Sequence, residues 1–241
     1  MTSYFWPTWA DIIAKEIPES YNYGQSGGGN LFIACQVTEA NLRHKFTNDD
    51  LIIIMWSGVS REDRFVNNNW LTPGNIFTQS YYDDKFVNTF ADPVGYLLRD
   101  LSIITMCSGM LDNLKLDYFM LNMAPFDQLQ SSNRAANIEN ADSLLEFFKP
   151  TVDRILPDLL TVGCNGTWPQ HPITSPSPGG QTADYHPSPN MHFNYLNMIF
   201  PGCKWRPDTF QFVIDSTNEM RQARTTDQLK WRSPKPKRFG N

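Results

Sequence analysis

A run of apolar, mostly β-branched residues constrains this chain more than any other feature of its sequence. Residues 50–56 read Asp-Leu-Ile-Ile-Ile-Met-Trp, and no polar residue interrupts the run after Asp50. An unbroken apolar run is typical of a strand that is covered on both faces, as the strands of parallel sheets are. Residues 116–123 predict a second strand of this kind. The two runs therefore indicate an α/β domain built on a parallel sheet.

Helical patterns surround the two strands. Apolar spacing predicts the longest helix over residues 94–114, between the strands, and this order makes right-handed crossover units. The further predictions are helices at 8–17, 31–40, 144–160, 191–199 and 210–229, a brief strand at 21–24, and polar or loop segments at 66–79, 128–140 and 171–180. We expect a single domain over residues 1–230, followed by a basic, proline-containing tail at 231–241.

Charge and hydropathy exclude several classes of protein. The 241 residues carry a net charge of −5, and basic residues concentrate after residue 220, which leaves an acidic body. Nucleic-acid binding needs clustered Lys and Arg, so nucleic acid is not an expected partner. No apolar run reaches the roughly 18 residues that a membrane helix needs, and the N-terminus has no signal-peptide pattern. We expect a cytoplasmic protein without a membrane partner.

The four cysteines form no metal-binding pattern. Cys35, Cys107, Cys164 and Cys203 include no Cys-x-x-Cys pair and have no histidine at zinc-ligand spacing. Reduced and mostly buried thiols are the expected state. The sequence therefore predicts neither a metal site nor a cofactor.

The first candidate site is a glycine turn. Residues 26–30 read Ser-Gly-Gly-Gly-Asn and precede a predicted helix. Glycines expose backbone N–H groups and a helix N-terminus carries partial positive charge, so Gly28 and Asn30 are candidate donors to an oxyanion or a phosphate. The alternative is a tight strand-to-helix turn that Asn30 caps. Nucleotide binding is a weaker interpretation, because the turn lacks both the dinucleotide glycine spacing and a P-loop lysine.

The second candidate site is the loop after the first buried strand. Residues 56–64 read Trp-Ser-Gly-Val-Ser-Arg-Glu-Asp-Arg and leave the sheet at the edge where open α/β sheets bind ligands. Ser60 and Arg61 are the candidate substrate-binding residues here. Arg61 and Arg64, beside two acidic residues, form either a clamp for a substrate anion or a surface ion-pair cluster.

The third candidate site is a late loop that reads Asp184-Tyr185-His186-Pro187. A carboxylate beside an imidazole can orient its Nδ1–H and leave Nε2 free to act as a base. His186 is therefore the candidate base and Asp184 its orienting partner, and the alternative is a purely structural histidine. His192 lies at helical spacing beside Phe193, and we interpret it as a packed helix residue.

These segments together resemble the SGNH or GDSL-like hydrolases, a superfamily of esterases and lipases. Residues 22–30 look like the second sequence block of that family, residues 58–61 occupy the place of the third, and residues 184–189 look like the last. The resemblance covers most of the chain and implies a three-layer, flavodoxin-like parallel sheet. It also implies a serine nucleophile, with His186 and Asp184 as the acid–base pair and Gly28 and Asn30 beside the oxyanion.

This sequence departs from the family pattern in three places. Ser60 or Arg61 stands where the family has its oxyanion asparagine, and the last block is one residue shorter. Residues 1–7 look like those that follow the nucleophile block. The first strand and its serine are therefore expected upstream of Met1, and Ser3 is the one nearby substitute.

Two functions remain open from the sequence. The first is an ester hydrolase that acts on a carbohydrate or small acyl ester through a serine nucleophile. The second is a non-catalytic SGNH-like module with a structural or carbohydrate-binding role, for example in a virus particle, where the location is the virion. Assembly as a homo-oligomer or within a larger complex is compatible with both.

Overall fold

The computed structural model describes residues 5–17, 19–77, 81–131, 134–173, 184–229 and 231, with the backbone alone for 130, 131 and 134–136. The chain divides into two compact units. The terminal unit comprises the described residues of Met1–Asn22 and Leu159–Pro236, and the central unit comprises those of Tyr23–Asp158. The prediction of one domain over residues 1–230 stays a prediction.

Helices make up most of the regular structure in the described residues. They are α1 (Trp9–Glu16), α2 (Asn30–His44), α3 (Asp84–Phe90), α4 (Pro93–Asn113), α5 (Ala141–Phe147), α6 (Lys149–Val152), α7 (Leu159–Gly163), α8 (Pro189–Ile199), α9 (Pro207–Gln222) and a 3-10 turn at Thr226–Gln228. The strands are β1 (Ile52–Trp56), β2 (Arg64–Val66), β3 (Asn69–Leu71), β4 (Tyr118–Asn122), β5 (Gln128–Ser131) and β6 (Arg134–Asn137).

A parallel pair of strands forms the centre of the central unit. β1 and β4 pair in register from Ile52 opposite Tyr118 to Trp56 opposite Asn122. Every second side chain of β1, from Ile52 to Trp56, is buried. These side chains pack against α2 and α4 in the largest apolar cluster. On the other face of the pair, Phe119 is exposed. The prediction of a mixed α/β fold with a parallel sheet is confirmed at this level.

Helix α4 supplies much of that apolar cluster. The side chain of Asp92 accepts hydrogen bonds from the backbone N–H groups of Val94 and Gly95, and Pro93 occupies the first turn. The helix is long and apolar enough to cross a membrane, and half of its most apolar window is buried inside the unit. Core helices of soluble proteins have the same length and composition, so the expected absence of a membrane partner stays a prediction.

Two antiparallel hairpins, β2–β3 and β5–β6, form in a stretch that the sequence predicted to be a loop and in one that it described only as polar. The turn of the first hairpin consists of Asn67 and Asn68, whose φ angles are 51° and 59°. Two successive positive φ angles are typical of a type I′ turn, and asparagine tolerates that backbone. The loop prediction over 66–79 is therefore wrong in part, and the polar stretch at 128–140 contains the second hairpin.

Prolines break a helix that was predicted to be continuous over residues 144–160. Pro150 lies in the first turn of α6 and Pro157 precedes α7, so three short helices stand in its place. The strand predicted over residues 21–24 is also wrong. Residues 21–24 have no regular secondary structure and belong to none of the sheets among the described residues.

Helices α1, α8 and α9 build the terminal unit. They enclose a buried cluster of Ile12, Phe193, Leu196 and Val213. The side chain of Ser188 caps the N-terminus of α8. The helices predicted at 8–17 and 191–199 are confirmed to within two residues, and the helix predicted over 210–229 ends at Gln222.

Candidate functional site

An aspartate–histidine pair stands in the late loop of the terminal unit. The Nδ1 atom of His186 lies 2.9 Å from Oδ1 of Asp184, and the same oxygen accepts a 2.7 Å hydrogen bond from the backbone N–H of His186. The side chain of His186 is 52% exposed, whereas that of Asp184 is 16% exposed. The carboxylate thus holds the ring from one end while much of the ring faces solvent. Asp184 therefore contacts the nitrogen of His186 that an orienting carboxylate would contact, and its orienting role stays a prediction.

Neighbouring residues fix the loop that carries this pair. His171 and Asp184 exchange two backbone hydrogen bonds, of 2.7 and 2.9 Å, and Nε2 of His171 donates to the backbone carbonyl of His186 over 3.1 Å. The indole N–H of Trp6 donates to the carbonyl of Pro187, and its ring meets the rings of His171 and His186 edge to face. Sequence reasoning missed Trp6 and His171, because both lie far from the pair along the chain.

Burial and charge set the protonation of this neighbourhood. Burial raises the pKa of Asp184, but the hydrogen bonds and charge of His186 outweigh it and hold that pKa below its usual value. Burial also lowers the pKa of His171. His192 is buried in α8, as predicted for a packed residue, and burial lowers its pKa to about 3. At neutral pH, the charged form of Asp184 and the neutral form of His192 are therefore favoured.

The Asp184–His186 arrangement is suited to general-base chemistry. When Nδ1–H donates to the Asp184 carboxylate, Nε2 of the neutral ring is the acceptor nitrogen. An acceptor nitrogen on a ring with a fixed orientation can take a proton from a hydroxyl group or a water molecule. This is the role that the sequence predicted for His186.

The glycine turn of the central unit holds a buried hydrogen-bond network around Asn30. The Nδ2 group of Asn30 donates to the carbonyl of Ser57 and to Oδ2 of Asp100, over 3.1 and 2.9 Å. Its Oδ1 atom accepts a 2.8 Å bond from the backbone N–H of Ser57. Asn30 and Asp100 are fully buried. Asn30 therefore ties the start of α2 to the end of β1 and to α4.

Asp63 caps the same helix from a distant loop. Its carboxylate accepts hydrogen bonds from the backbone N–H groups of Gly29 and Phe32, over 2.9 and 3.0 Å. A Cβ atom at Gly29 would lie only 2.7 Å from that carboxylate, so the position requires glycine. Burial nevertheless raises the pKa of Asp63. The turn is tight because a buried carboxylate occupies the space above it.

The N–H groups that the sequence predicted to bind an oxyanion already donate hydrogen bonds within this network. The backbone N–H of Gly28 donates to the carbonyl of Gln25 over 3.1 Å, and both Nδ2 hydrogens of Asn30 have internal acceptors. The alternative prediction, a tight turn at the start of a helix, fits these contacts, although Asp63 supplies the cap. An oxyanion role for Gly28 or Asn30 requires these bonds to change and stays a prediction.

Ser60 and Arg61 lie next to the glycine turn. Ser60 is fully buried with a φ of 76°, and its hydroxyl has no partner among the described residues. Arg61 donates to the carbonyl of Gly28 over 3.0 Å and reaches the sulfur of Met123. The structure thus brings Ser60, Arg61, Gly28 and Asn30 into one neighbourhood. Their role in binding a substrate stays a prediction.

The acidic residues of that loop are largely paired. Glu62 contacts Arg64 at 2.8 Å and Arg99 at 3.2 Å, and it accepts a hydrogen bond from the hydroxyl of Tyr96. Arg99 also pairs with the buried Asp100 at 2.8 Å. Arg64 thus forms the ion pair that one interpretation predicted, and an anion clamp at Arg61 and Arg64 stays a prediction.

Further polar atoms are buried at the carboxyl end of the parallel pair. Within the described residues, Nε1 of Trp56, Oγ of Ser57, Oγ of Ser60 and Oδ1 of Asn122 have no hydrogen-bond partner. Trp56 and Asn122 are opposite each other in the β1–β4 register. The sequence singled out Ser60 as a candidate substrate-binding residue, identified Ser57 only as part of the loop, and did not single out Asn122. This edge therefore concentrates unused hydrogen-bonding capacity where open sheets bind ligands.

The candidate residues fall into two groups. Asp184 and His186 belong to the terminal unit, and Gly28, Asn30, Ser60 and Arg61 belong to the central unit. That both groups share one site stays a prediction. Ser3, residues 174–180 of the predicted loop and the tail from residue 232 lie outside the described residues. In the described part of the chain, no three His, Cys, Asp or Glu side chains are grouped as metal ligands.

In comparisons with known proteins, no family model, no curated protein and no solved structure matches the chain. The resemblance to SGNH hydrolases therefore stays a prediction.

Proposed function

We propose that this protein is a serine-type ester hydrolase in which His186 is the general base and Asp184 orients it. The observation that carries the proposal is the 2.9 Å contact between Nδ1 of His186 and the Asp184 carboxylate, on a ring that is half exposed. A carbohydrate ester or a small acyl ester is the proposed substrate class. The proposal includes no cofactor and no metal.

The proposed reaction has two halves, acylation and deacylation, and each half needs two proton transfers. Nε2 of His186 takes the proton of a serine hydroxyl while the serine oxygen attacks the ester carbonyl, and the imidazolium then gives that proton to the departing alcohol. Water repeats the sequence on the acyl-enzyme and releases the acid. Asp184 stabilises the imidazolium and keeps the proton on Nδ1. The serine is left for experiment to identify.

The proposed fold is the three-layer arrangement of SGNH hydrolases. The parallel pairing of β1 and β4, the crossover through α4 and the apolar cover of one strand face support it. Binding of the substrate or of its oxyanion is the role proposed for Arg61, Ser60, Gly28 and Asn30. A cytoplasmic or virion location, without membrane or nucleic-acid partners, belongs to the same proposal.

A non-catalytic carbohydrate-binding or structural module is the second candidate. One observation favours it: the Gly28 N–H and the Asn30 amide already have internal acceptors. On this alternative the Asp184–His186 pair is structural. Glycan binding without turnover is then the expected behaviour.

Esterase assays on the purified full-length protein, with any residues that are encoded in frame upstream of Met1, separate the two candidates. The wild type, His186→Gln and Asp184→Asn are compared for turnover of p-nitrophenyl acetate and for labelling by a fluorophosphonate probe. We expect both variants to lose about 100-fold or more of the turnover, since positioned bases contribute about 10²- to 10⁴-fold. We also expect one serine to be labelled in the wild type, and peptide mapping then identifies it.

The control variant is His44→Gln, which changes an exposed histidine of the central unit that contacts Tyr23. An exposed imidazole attacks activated esters slowly by itself, but it does not produce a serine adduct, so the labelling separates background from catalysis. Turnover and labelling of His186→Gln at the level of His44→Gln would exclude His186 as the base.

A further inference from the structure

The indole of Trp6 is fixed in the core of the terminal unit, beside the loop that carries His186. Trp6 is 3% exposed and packs in an apolar cluster whose other buried members are Ile173, Met220, Ala223 and Leu229. Three of these four residues lie in the last turn of α9 or follow that helix. Residues that are distant from the loop in sequence therefore set the position of the indole, and close packing holds a buried ring in one place.

Trp6 contacts the loop in two ways. Its indole N–H donates to the carbonyl of Pro187 over 2.9 Å in a buried place. Its ring centroid lies 6.5 Å from that of the His186 imidazole, and the two ring planes meet at 72°. Aromatic rings attract each other in this edge-to-face arrangement at centroid separations of roughly 4.5 to 7 Å. One buried side chain therefore contacts both the imidazole and the backbone that directly follows it.

His171 ties the same loop to the same indole. Its ring lies edge to face with that of Trp6, at a centroid separation of 6.0 Å. Its Nε2 atom donates to the carbonyl of His186 over 3.1 Å. The carbonyls of His186 and Pro187 thus accept hydrogen bonds from two rings that contact each other. The loop is anchored by these rings after the imidazole, and by the backbone pairing of His171 with Asp184 before it.

The orientation of the His186 ring needs more than the Asp184 contact. The 2.9 Å contact with the carboxylate fixes the place of Nδ1, but a ring can turn about one contact of this kind. The side chain is 52% exposed, so the solvent side leaves room for such a turn. A displacement of roughly 1 Å in a reacting group can cost about 100-fold in rate. An edge-to-face partner of fixed position restricts that freedom.

We propose that Trp6 is a positioning residue of the Asp184–His186 pair. Its ring limits the imidazole to the orientation in which Nδ1 contacts Asp184, and its N–H holds the Pro187 carbonyl. Trp6 takes no part in proton transfer and acts through His186. The expected effect on turnover rests on the proposed function, whereas the expected effect on the ring does not.

Histidine-ring NMR on the full chain tests the orientation without reference to activity. The chain has four histidines, and the spectrum of His186→Gln identifies the His186 signals. At about pH 8 ordinary imidazoles are neutral, and proton–nitrogen correlation spectra then show which ring nitrogen carries the proton. We expect the proton on Nδ1 in the wild type. In Trp6→Phe, whose smaller ring lacks the N–H, we expect a mixture of both tautomers.

Trp205→Phe is the matched control in the same unit. The indole N–H of Trp205 donates to Oδ1 of Asn197 over 2.7 Å, and its ring meets that of Phe193 edge to face. The substitution removes the same two kinds of contact, but both partners lie in α8. We expect a comparable loss of stability and an unchanged His186 tautomer.

Kinetics test whether Trp6 acts through His186. In the turnover of p-nitrophenyl acetate, we expect Trp6→Phe to lower kcat about tenfold, with KM within about twofold of the wild type. The double variant Trp6→Phe/His186→Gln should lose no more turnover than His186→Gln alone, because a positioning residue has no effect once the base is absent. Benzothienylalanine in place of Trp6 keeps the bicyclic ring and replaces its N–H by sulfur, so it serves if Trp6→Phe does not fold. We expect it to lower kcat about threefold and to show the second tautomer.

The other outcomes contradict the proposal. A wild-type His186 ring with its proton on Nε2, or a pure Nδ1–H tautomer in both variants of Trp6, would overturn it. Additive losses of turnover in the double variant would also overturn it, because Trp6 would then act independently of His186. If wild-type turnover does not depend on His186, the proposed function fails, and the NMR comparison alone decides the role of Trp6.

Discussion

The Asp184–His186 pair and the network around Asn30 each join a carboxylate to a nitrogen-bearing side chain, but they differ in how much of that side chain faces solvent. His186 is half exposed and held by one carboxylate, whereas Asn30 and Asp100 are fully buried. The side-chain amide of Asn30 uses both donor hydrogens and its oxygen on internal partners. The Asp184–His186 pair thus keeps a titratable ring within reach of solvent. The network around Asn30 uses its polar groups to connect α2, β1 and α4.

On the proposed function, this difference separates residues for chemistry from residues for folding. A base has to exchange protons with a substrate, so exposure with a fixed orientation is useful to it. A buried amide that is fully bonded rigidifies a core but has no free atom to offer. We therefore expect substitutions at the pair to change turnover, and substitutions in the network to change the free energy of unfolding.

The largest expected change in stability comes from Asn30→Ala. The substitution leaves the Asp100 carboxylate without one of its donors and the Ser57 N–H without its acceptor, both in a buried place. We expect a loss of about 4 kcal/mol in the free energy of unfolding, measured by urea denaturation. The control Asn113→Ala, at an exposed end of α4, should change it by less than about 0.5 kcal/mol. Equal effects of the two would contradict the structural role of Asn30.

Asp100 provides a test through pH. Burial raises its pKa from 3.8 to about 6 in the folded protein, so its contribution to stability is full below pH 3.8 and is lost as pH rises through 6. Relative to Asp100→Asn, which does not titrate, the wild type should lose about 2.5 kcal/mol between pH 4 and pH 7. Urea denaturation at both pH values measures the difference. If the difference in the free energy of unfolding between the two proteins were the same at both pH values, the raised pKa of Asp100 would be contradicted.

His192 should act in the opposite direction in the terminal unit. Burial lowers its pKa from 6.5 to about 3, so its contribution to stability is full above pH 6.5 and is lost as pH falls toward 3. Relative to His192→Phe, the wild type should lose about 2 kcal/mol between pH 7 and pH 5. The same loss in His192→Phe would show that other groups cause the acid sensitivity.

Much of the fold was predictable because its signals are local. The apolar runs at β1 and β4 and the spacing in α2, α4 and α8 identify those elements to within a few residues. The hairpin that turns at Asn67 and Asn68 was not predicted, because the residue types in an asparagine-rich stretch do not show which of them have positive φ angles. The strand predicted over 21–24 failed because strand formation depends on a partner, which a local pattern does not contain.

The site was predictable only where its contacts are short in sequence. Asp184 and His186 are two residues apart, so their spacing already indicated the contact. Asp63 contacts Gly29 across 34 residues and Asp100 contacts Asn30 across 70, and no pattern in a single sequence joins them. For this reason the glycine turn was interpreted from its own residues alone. The carboxylates that accept hydrogen bonds from the turn were missed.

Turnover and unfolding free energy, measured together on His186→Gln, test the central claim most directly. We predict that hydrolysis of p-nitrophenyl acetate and fluorophosphonate labelling fall by about 100-fold or more. The free energy of unfolding should stay within about 0.5 kcal/mol of the wild type, because the ring is half exposed. Unchanged turnover together with a clear loss of stability would contradict the assignment and make the Asp184–His186 pair a structural contact.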